Sequence, residues 1–341
     1  MTESRSLPEQ IKDGYCDANC RPENGLLLAV SGGADSIALL HATVDIWAQY
    51  SDRIVVAHVN HGLRPENSHD DAAFVGAVAD EAGLPFELLT IPGGSLEQAS
   101  DGSLEEVARD RRYEFLAETA ARREMAAVVT AHHMDDQAET VLHNIIRGTG
   151  LRGLRGMQRS RPLAVGAQLV RPMLNLRRCD IVEYLSAAGL AFRTDHSNQD
   201  TDFTRNRIRQ QLLPTLKNDF NTSVDRNLLS LAQQAQQTIR LMDSLAKKIL
   251  SEVIWERQSD VCRLDRTKLA TWPADVVRHV MSVLWIQQGW PRQKMTFRHY
   301  ARLAELTCSH DEIREAFPGN ISAWCSDDMV RLTRNDVADR A

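Results

Sequence analysis

The segment from Gly25 to His41, GLLLAVSGGADSIALLH, constrains the fold of this chain more than any other. Its apolar run at 26–30 has the length of a buried strand, and the apolar residues from Ile37 onward begin an amphipathic helix. The residues between them therefore form a strand-to-helix turn. Glycines in such a turn let the backbone approach an oxyanion, serine hydroxyls donate to it, and the positive helix end faces it. The turn is predicted to bind phosphate.

The turn sequence SGGADS, residues 31–36, lacks the GxxxxGK[ST] pattern and the lysine of a Walker loop. It resembles the PP-loop of the ATP pyrophosphatases, which cleave ATP between the α- and β-phosphates. That resemblance implies that Asp35 holds Mg²⁺. It also implies that ATP binds to the whole turn, which consists of Ser31, Gly32, Gly33, Ala34, Asp35 and Ser36. For the hexapeptide alone, the alternative is an ordinary glycine-rich turn.

The composition is that of a globular protein of two or three domains: of 341 residues, 43% are hydrophobic and 25% are charged. No segment has the pattern of a membrane span. The first residues lack the basic-then-apolar pattern of a signal peptide, so we expect a cytoplasmic protein. The six cysteines form no CxxC pair, which favours reduced thiols and argues against a metal or iron–sulfur site built from cysteines.

The net charge of −6 argues against indiscriminate nucleic-acid binding, yet one stretch is strongly basic. Between Thr140 and Cys179 there is no Asp, Glu or Lys. The same stretch contains eight arginines: Arg147, Arg152, Arg155, Arg159, Arg161, Arg171, Arg177 and Arg178. Such a local excess of positive charge suits a polyanion. The alternative is a solvated basic loop, because charge runs are weakly specific.

Strand and helix patterns alternate through the first half of the chain. Strand patterns at 54–59, 86–91 and 127–130 are followed by helix patterns at 67–82, 103–125 and 135–147, the second of which opens with the capping box Ser103–Glu106. This alternation predicts an α/β fold with a parallel, doubly wound sheet. Ligands bind outside the carboxyl ends of the strands in such sheets, so the loops SGGADS, HVNHG and TAHHMDD should converge.

The pattern changes after a last strand at 169–172 and helices at 180–188 and 203–213, of which the second is predicted to stop at Pro214. A long amphipathic helix from about Asn221 comes next. Short strands at 253–255 and 261–264, helices at 274–288 and 296–307, and a turn at 318–320 complete the chain. We therefore predict an ATP-binding catalytic domain over 1–218 and a second, smaller, mostly helical domain over 219–341.

Seven blocks of sequence, taken together and in order, resemble the bacterial tRNA(Ile)-lysidine synthases. They are SGGADS at 31–36, HVNHGLRPENS at 58–68, SLEEVARDRRY at 103–113, TAHHMDDQAET at 130–140, RGTGLRGLRGM at 147–157, RPML at 171–174 and TRNRIRQQLLP at 204–214. The likeness covers about the first 220 residues and is weak beyond them. Longer members of that family carry a further C-terminal domain, before which we expect this chain to end.

The resemblance implies a ligase reaction in two steps. ATP adenylates O2 of cytidine 34, the wobble base of an isoleucine tRNA with a CAU anticodon, and the amine of free lysine then displaces AMP to give lysidine. ATP and Mg²⁺ are the implied cofactors, and the second domain is implied to bind the tRNA. No membrane is involved, and a homodimer is left open.

Individual residues take roles from the same resemblance. Asp35 and Glu139 are implied to hold the metal, while Arg112 and Arg205 are implied to contact the α-phosphate or the cytosine, with Arg109 unranked beside them. Asp136 and Glu139 are three residues apart and so share one helix face. The catalytic residues are thus predicted to be Asp35, Arg112, Asp136, Glu139 and Arg205, with His58 and His132 in the nucleotide pocket.

Simpler and competing interpretations stay open. Arg112 could be a solvated helix residue, and Asp136 with Glu139 a charge pair at a helix start. A thiolase of the 2-thiocytidine type would need paired cysteines, and a glutamine-dependent synthetase would need an ammonia-supplying domain; the sequence has neither. A metal-dependent phosphoesterase could use AHHMDD but would not need SGGADS. A nucleotide-sensing or tRNA-binding module without catalysis would keep the fold.

Overall fold

The computed structural model of the protein describes residues 5–60, 67–91, 104–193, 204–309 and 311–335. Backbone contacts divide the chain into two units, Met1–Gln233 and Gln234–Ala341. The division lies inside the long predicted helix, whereas the predicted domain boundary at 218/219 precedes that helix. The predicted starts of the helices at 103 and 203 fall outside the described residues.

The first unit is built on a six-stranded sheet with the strand order β3-β2-β1-β4-β6-β5. Its strands are β1 (Leu26–Ala29), β2 (Ile54–Asn60), β3 (Phe86–Thr90), β4 (Ala127–Thr130), β5 (Ser160–Ala164) and β6 (Ala167–Val170). All neighbours pair in parallel except β5, which lies antiparallel to β6 at the edge. The predicted parallel α/β sheet is therefore confirmed, with one antiparallel edge strand that the sequence did not indicate.

Helices cover both faces of this sheet. They are α1 (Leu7–Asp17), α2 (Ala34–Ile46), α3 (Asn67–Glu81), α4 (Leu104–Arg122), α5 (Met134–Ile146), α6 (Leu151–Leu154) and α7 (Arg178–Ala187). Leu26 and Leu28 of β1 pack into one core with residues of α1, α2, α3 and α7, and Leu27 packs into another with α4. All three leucines are fully buried, which stabilises the fold by about 1.5–3 kcal/mol each. This burial on both faces explains why β1 is continuously apolar.

Helix α1 was not predicted, although its signal is present in the sequence. Ser6 and Glu9 form a capping box, in which Ser6 N donates to Glu9 Oε2 at 2.8 Å. The helix buries Ile11 and Tyr15 in the core shared with α2, where the Tyr15 hydroxyl lies 2.8 Å from Thr43 Oγ1. Residues before the first strand therefore belong to the fold of the first unit.

The segment after residue 203 does not stop at Pro214 as predicted. It runs through α8 (Thr204–Arg207), a π-helical turn at Ile208–Leu212, α9 (Leu213–Thr215) and a second π-helical turn at Leu216–Phe220. Pro214 lacks an amide donor, and it sits in the first turn of α9, where the chain leaves the first π-helical turn and its φ angle already suits a helix. A proline at such a junction costs the helix little, so the helical path continues.

The second unit combines helices with a five-stranded antiparallel sheet of order β7-β8-β11-β10-β9. Its elements are the later part of α10 (Val224–Val253), then β7 (Ile254–Arg257), β8 (Val261–Asp265), α11 (Arg266–Ala270), α12 (Ala274–Gln287), α13 (Phe297–Cys308), β9 (Ile313–Phe317), β10 (Ile321–Cys325) and β11 (Met329–Arg334). The predicted strands near 253–255 and 261–264 and the turn at 318–320 are confirmed, whereas β9, β10 and β11 were not predicted. In the part of the chain that is described, no helix has an apolar stretch long enough to span a bilayer.

Candidate active site

The turn that follows β1 is organised by two serine hydroxyls. Ser36 Oγ accepts a hydrogen bond from Ser31 N at 3.1 Å and donates one to Gly33 O at 2.9 Å. Ser31 Oγ lies 3.2 Å from Ser36 Oγ and accepts from Gly33 N at 3.4 Å. Among the described residues, no side chain caps α2 at Gly33, so the positive end of this helix suits an anion.

Gly32 has the one backbone conformation in this turn that requires glycine. Its φ of +90° is strained for any residue with a Cβ, and an added Cβ would lie 3.3 Å from Val75 Cγ2. Its carbonyl accepts a hydrogen bond from Arg193 N at 2.9 Å. The conformation of the predicted phosphate turn is thus held from both sides.

His58, predicted to line the nucleotide pocket, braces the end of β1. It is 5% exposed, and its Nδ1 lies 2.8 Å from the carbonyl oxygen of Val30, so Nδ1 carries the proton and donates. Burial lowers the pKa of His58, which favours the neutral ring. Nε2 then keeps a lone pair beside the turn.

His133 joins three carboxylates at the start of α5. It is 1% exposed, with Nε2 3.6 Å from Asp35 Oδ2 and 3.4 Å from Asp136 Oδ2, and Nδ1 3.4 Å from Asp135 Oδ2. Burial alone would lower its pKa, but Asp135, Asp35 and Asp136 outweigh burial and raise the pKa to about 10. The ring is therefore an imidazolium at neutral pH, and it brings Asp35 of the turn to Asp136 of α5.

Glu139 lies one turn further along α5 and is 2% exposed. Arg209 donates to it twice, from Nε to Oε1 at 2.5 Å and from NH2 to Oε2 at 2.9 Å, and Arg205 Nε lies 3.4 Å from Oε2. Arg209 NH2 also donates to Asp136 Oδ1 at 2.8 Å, and Arg205 NH2 lies 3.7 Å from the same oxygen. Two arginines thus neutralise two largely buried carboxylates.

Asp35 keeps one oxygen without a protein partner. Its Oδ1 is buried and has no hydrogen-bond partner in the described part of the chain, whereas Oδ2 lies 3.5 Å from Arg178 NH1 in addition to the His133 contact. Mg²⁺ binds oxygen ligands and typically takes one or two carboxylates together with substrate phosphates, so Asp35 fits this ion. Glu139, the other predicted ligand, has both oxygens bonded to arginine. The described residues contain no group of three or more His, Cys, Asp and Glu side chains that could hold a metal.

Arg112 belongs to a group of guanidinium groups around Tyr113. The Cζ atoms of Arg109 and Arg112 both lie 5.3 Å from the centre of the Tyr113 ring, and that of Arg161 lies 5.4 Å away. Burial alone would raise the pKa of Tyr113, but Arg109, Arg112 and Arg171 outweigh burial and lower it. We call Arg109, Arg112, Arg161 and Arg171 with Tyr113 the arginine cluster; it has the charge of an anion site.

His132 lies within the electrostatic reach of that cluster. Burial lowers its pKa, and the positive charges of Arg171, Arg205 and Arg112 add to the effect, so that the pKa falls to about 3. Its Nδ1 lies 2.9 Å from Thr130 Oγ1. His132 is therefore neutral while the adjacent His133 is charged, because one faces arginines and the other faces carboxylates.

The structure thus brings the three predicted loops together. Asp35, Asp136, Glu139 and Arg205 meet through His133 and Arg209, and His132 and Arg112 interact with Arg205 across the same region. Arg209 was missed, although it is four residues after Arg205 and so shares its helix face. Arg178 was identified only as one of the basic residues, because its approach to Asp35 depends on a contact far along the chain that no local pattern indicates.

This geometry agrees with comparisons to known proteins. A family model described as a PP-loop domain matches residues 3–216. A curated tRNA(Ile)-lysidine synthase of Gloeobacter violaceus is 36% identical over 289 residues, which cover 84% of this chain and 83% of that protein. The chain belongs to the tRNA(Ile)-lysidine synthase family of PP-loop proteins. The PP-loop domain accounts for an ATP-binding turn at residues 31–36.

Other matches differ in length or show the fold alone. The tRNA(Ile)-lysidine synthase of Symbiobacterium thermophilum is 37% identical over 265 residues, covering 76% of this chain but 55% of that protein. This chain spans about half the length of the first curated relatives that it matches. Among solved structures, a U34-tRNA thiolase from Methanococcus maripaludis has a TM-score of 0.55 at 13% identity, covering 67% of this chain and 78% of that one. At this identity the likeness shows a shared fold.

Proposed function

We propose that this protein ligates lysine to C2 of the wobble cytidine 34 of the CAU-reading isoleucine tRNA. The reaction consumes ATP and releases AMP and pyrophosphate. One observation carries the proposal: the phosphate turn, with its unpartnered Asp35 oxygen, lies against two buried carboxylates and two arginines. That site offers donors for a triphosphate and acceptors for an amine in one place.

In the first step, O2 of the cytosine attacks the α-phosphorus of ATP, and the bond to the bridging oxygen of pyrophosphate breaks. The turn amides and the hydroxyls of Ser31 and Ser36 are placed to donate to the phosphates, where charge develops. Arg112 and Arg205 are the proposed contacts of the α-phosphate or the base. The neutral rings of His58 and His132 add no charge of their own to the nucleotide pocket.

In the second step, the lysine ε-amine attacks C2 of the adenylated base, the C2–O2 bond breaks, and AMP leaves with that oxygen. The attacking amine must be neutral, although its pKa in water is ~10.4. Asp136 is the proposed acceptor of its proton, and Glu139 the second anion that attracts the lysine cation. For an amine to reach them, it has to take over hydrogen bonds that Arg209 makes in this structure.

Asp35 is the proposed ligand of Mg²⁺, with the nucleotide phosphates as its other ligands. When bound, the ion would offset the negative charge of the leaving pyrophosphate. Glu139 can serve as a further ligand only when Arg209 and Arg205 release an oxygen. ATP, free lysine and tRNA are all cytoplasmic compounds, so we place the reaction there, and sedimentation of the pure protein would test the predicted alternative of a homodimer.

The test is to incubate the pure protein with ATP, Mg²⁺, lysine and bulk bacterial tRNA and to measure AMP and pyrophosphate. Nuclease digestion and mass spectrometry should then find a mass gain equal to lysine minus water on the CAU anticodon loop. Without lysine, cognate tRNA should accumulate bound AMP, at most about one per tRNA, because only the first step can proceed. A non-catalytic module would release neither product, and AMP found on lysine rather than on tRNA would reverse the order of the steps.

The matched variants are Asp35→Ala and Asp80→Ala. Asp35→Ala should abolish AMP release because it removes the proposed metal ligand, while Asp80 lies exposed on α3 and its replacement should leave turnover unchanged. Far-UV circular dichroism should be the same for both. Undiminished turnover of Asp35→Ala would contradict the assignment of the turn.

A further inference from the structure

The sheet of the second unit carries a row of arginine and tryptophan side chains on the face away from its core. The antiparallel register pairs Arg263 with Arg331, Arg331 with Trp324, and Trp324 with Arg314. Successive residues of a strand point to opposite faces, and their neighbours on the strands, such as Leu264, are buried in the core. We call Arg263, Arg331, Trp324 and Arg314 the Arg–Trp row; it crosses four strands.

This arrangement is electrostatically unfavourable within the protein itself. Arg263 and Arg331 are directly opposite on paired strands, where like charges destabilise a sheet. Glu256 reaches Arg263, with 3.1 Å between Oε2 and NH1, whereas Arg331 forms no ion pair among the described residues. The Nε atoms of both arginines are buried and have no hydrogen-bond partner in that part of the chain. A bound anion would offset both the repulsion and the missing hydrogen bonds.

Trp324 adds an aromatic surface to the same row. Its indole is partly exposed, and the Cζ atom of Arg314 lies 5.5 Å from the ring centre. The charge of this region also favours an anion: residues 234–341 contain 16 Lys and Arg against 14 Asp and Glu, while the whole chain has 40 against 46. A partner of the row should therefore combine negative charge with flat, stackable groups.

We propose that the Arg–Trp row binds a single-stranded segment of RNA. A base stacks on Trp324, and the guanidinium groups of Arg263, Arg331 and Arg314 contact the flanking phosphates. An acidic peptide would satisfy the arginines but would leave the indole without a stacking partner, so RNA fits the row better. The identification of this RNA with the tRNA substrate rests on the proposed function, whereas the binding itself does not.

Binding is measured by fluorescence anisotropy with a short labelled single-stranded RNA over a range of salt concentrations. Arg331→Gln should reduce the slope of log K against log salt by about 0.7, the value for one phosphate contact of a single strand. Trp324→Leu should weaken binding roughly 5- to 100-fold through loss of stacking. The matched control is Arg302→Gln on α13, because Arg302 is already paired with Glu315 and Glu305. It should bind like the unaltered protein.

Thermal unfolding separates this role from a structural one. Because Arg331 opposes Arg263, Arg331→Gln should leave the Tm unchanged or raise it while it weakens RNA binding. A lowered Tm with an unchanged salt slope would assign Arg331 to the fold and overturn the proposal. Equal binding of all variants would do the same, as would a polyglutamate peptide that binds the unaltered protein as tightly as RNA does and fails to bind the same variants.

Assays without ATP or lysine keep this proposal distinct from the proposed function. Row-dependent RNA binding in a protein that forms no lysidine would leave the row intact and contradict only the proposed ligation. Lysidine formation with an unchanged KM for tRNA in Trp324→Leu and Arg331→Gln would contradict only the assignment of the substrate tRNA to the row. If both proposals hold, KM for tRNA rises in these variants while kcat stays nearly constant.

Discussion

Replacing Arg209 with Ala should destabilise the first unit through Glu139. Glu139 is 2% exposed, and Arg209 supplies its two shorter contacts, at 2.5 and 2.9 Å, while Arg205 remains at 3.4 Å. Removing one partner of a buried ion pair costs about 3–5 kcal/mol. The Arg209 side chain is 31% exposed, so water can reach part of the space it leaves, and we reduce the expected loss to about 2–3 kcal/mol.

Hydrogen exchange of peptides from α5, read by mass spectrometry, reports the opening free energy of this unit separately from that of the other. The control is Arg122→Ala, which removes a 3.0 Å contact to Glu87 from a side chain that is 56% exposed and should cost at most about 1 kcal/mol. The double replacement Arg209→Met with Glu139→Leu should recover most of the loss, because it leaves no buried charge unpaired. If Arg209→Ala costs no more than Arg122→Ala, the reasoning about a buried pair is wrong.

Three further outcomes are expected. Gly32→Ala should weaken ATP binding at least tenfold and cost about 1–3 kcal/mol, measured by calorimetry, because its φ is +90° and Val75 crowds the new methyl group. The raised pKa of His133 stabilises the fold fully below its unfolded pKa of ~6.5, so stability should fall as pH rises from there through about 10, and His133→Asn should flatten this dependence in urea unfolding curves. Replacing the exposed Arg147 and Arg177 with Ala should lower the salt slope of tRNA binding by about one unit for each phosphate that the protein no longer binds, and it should leave ATP binding unchanged; an unaltered slope would assign these two residues to a solvated surface.

Local patterns predicted much of the first unit. The apolar run of β1 and the glycines of the turn indicated the strand, the turn and α2, and the three-residue spacing of Asp136 and Glu139 placed both carboxylates on one side of α5. These features depend on residues close in sequence, where backbone geometry alone decides which side chains are neighbours.

Contacts between distant segments could not be predicted in the same way. The position of His133 between Asp35 and Asp136 depends on how β1 and β4 pair, and the approach of Arg178 to Asp35 joins residues 143 apart. The strands β10 and β11 do alternate in burial, but each is short, and their stability depends on long-range pairing rather than on local preference. The resemblance supplied Arg205, and the spacing to Arg209 was a signal left unused.

Asp136 has two separate duties, and together they narrow the substitutions that this position can accept. Its Oδ2 accepts from His133 N at 3.0 Å and so completes the cap of α5, while Oδ1 accepts from Arg209 NH2 at 2.8 Å. Asparagine would keep one acceptor oxygen and turn an amide group toward either the cap or the guanidinium. Glutamate would keep the charge but carry an extra methylene into a site that is 9% exposed. In a library randomised at this codon, survivors selected for folding alone should therefore be nearly as restricted as survivors selected for activity.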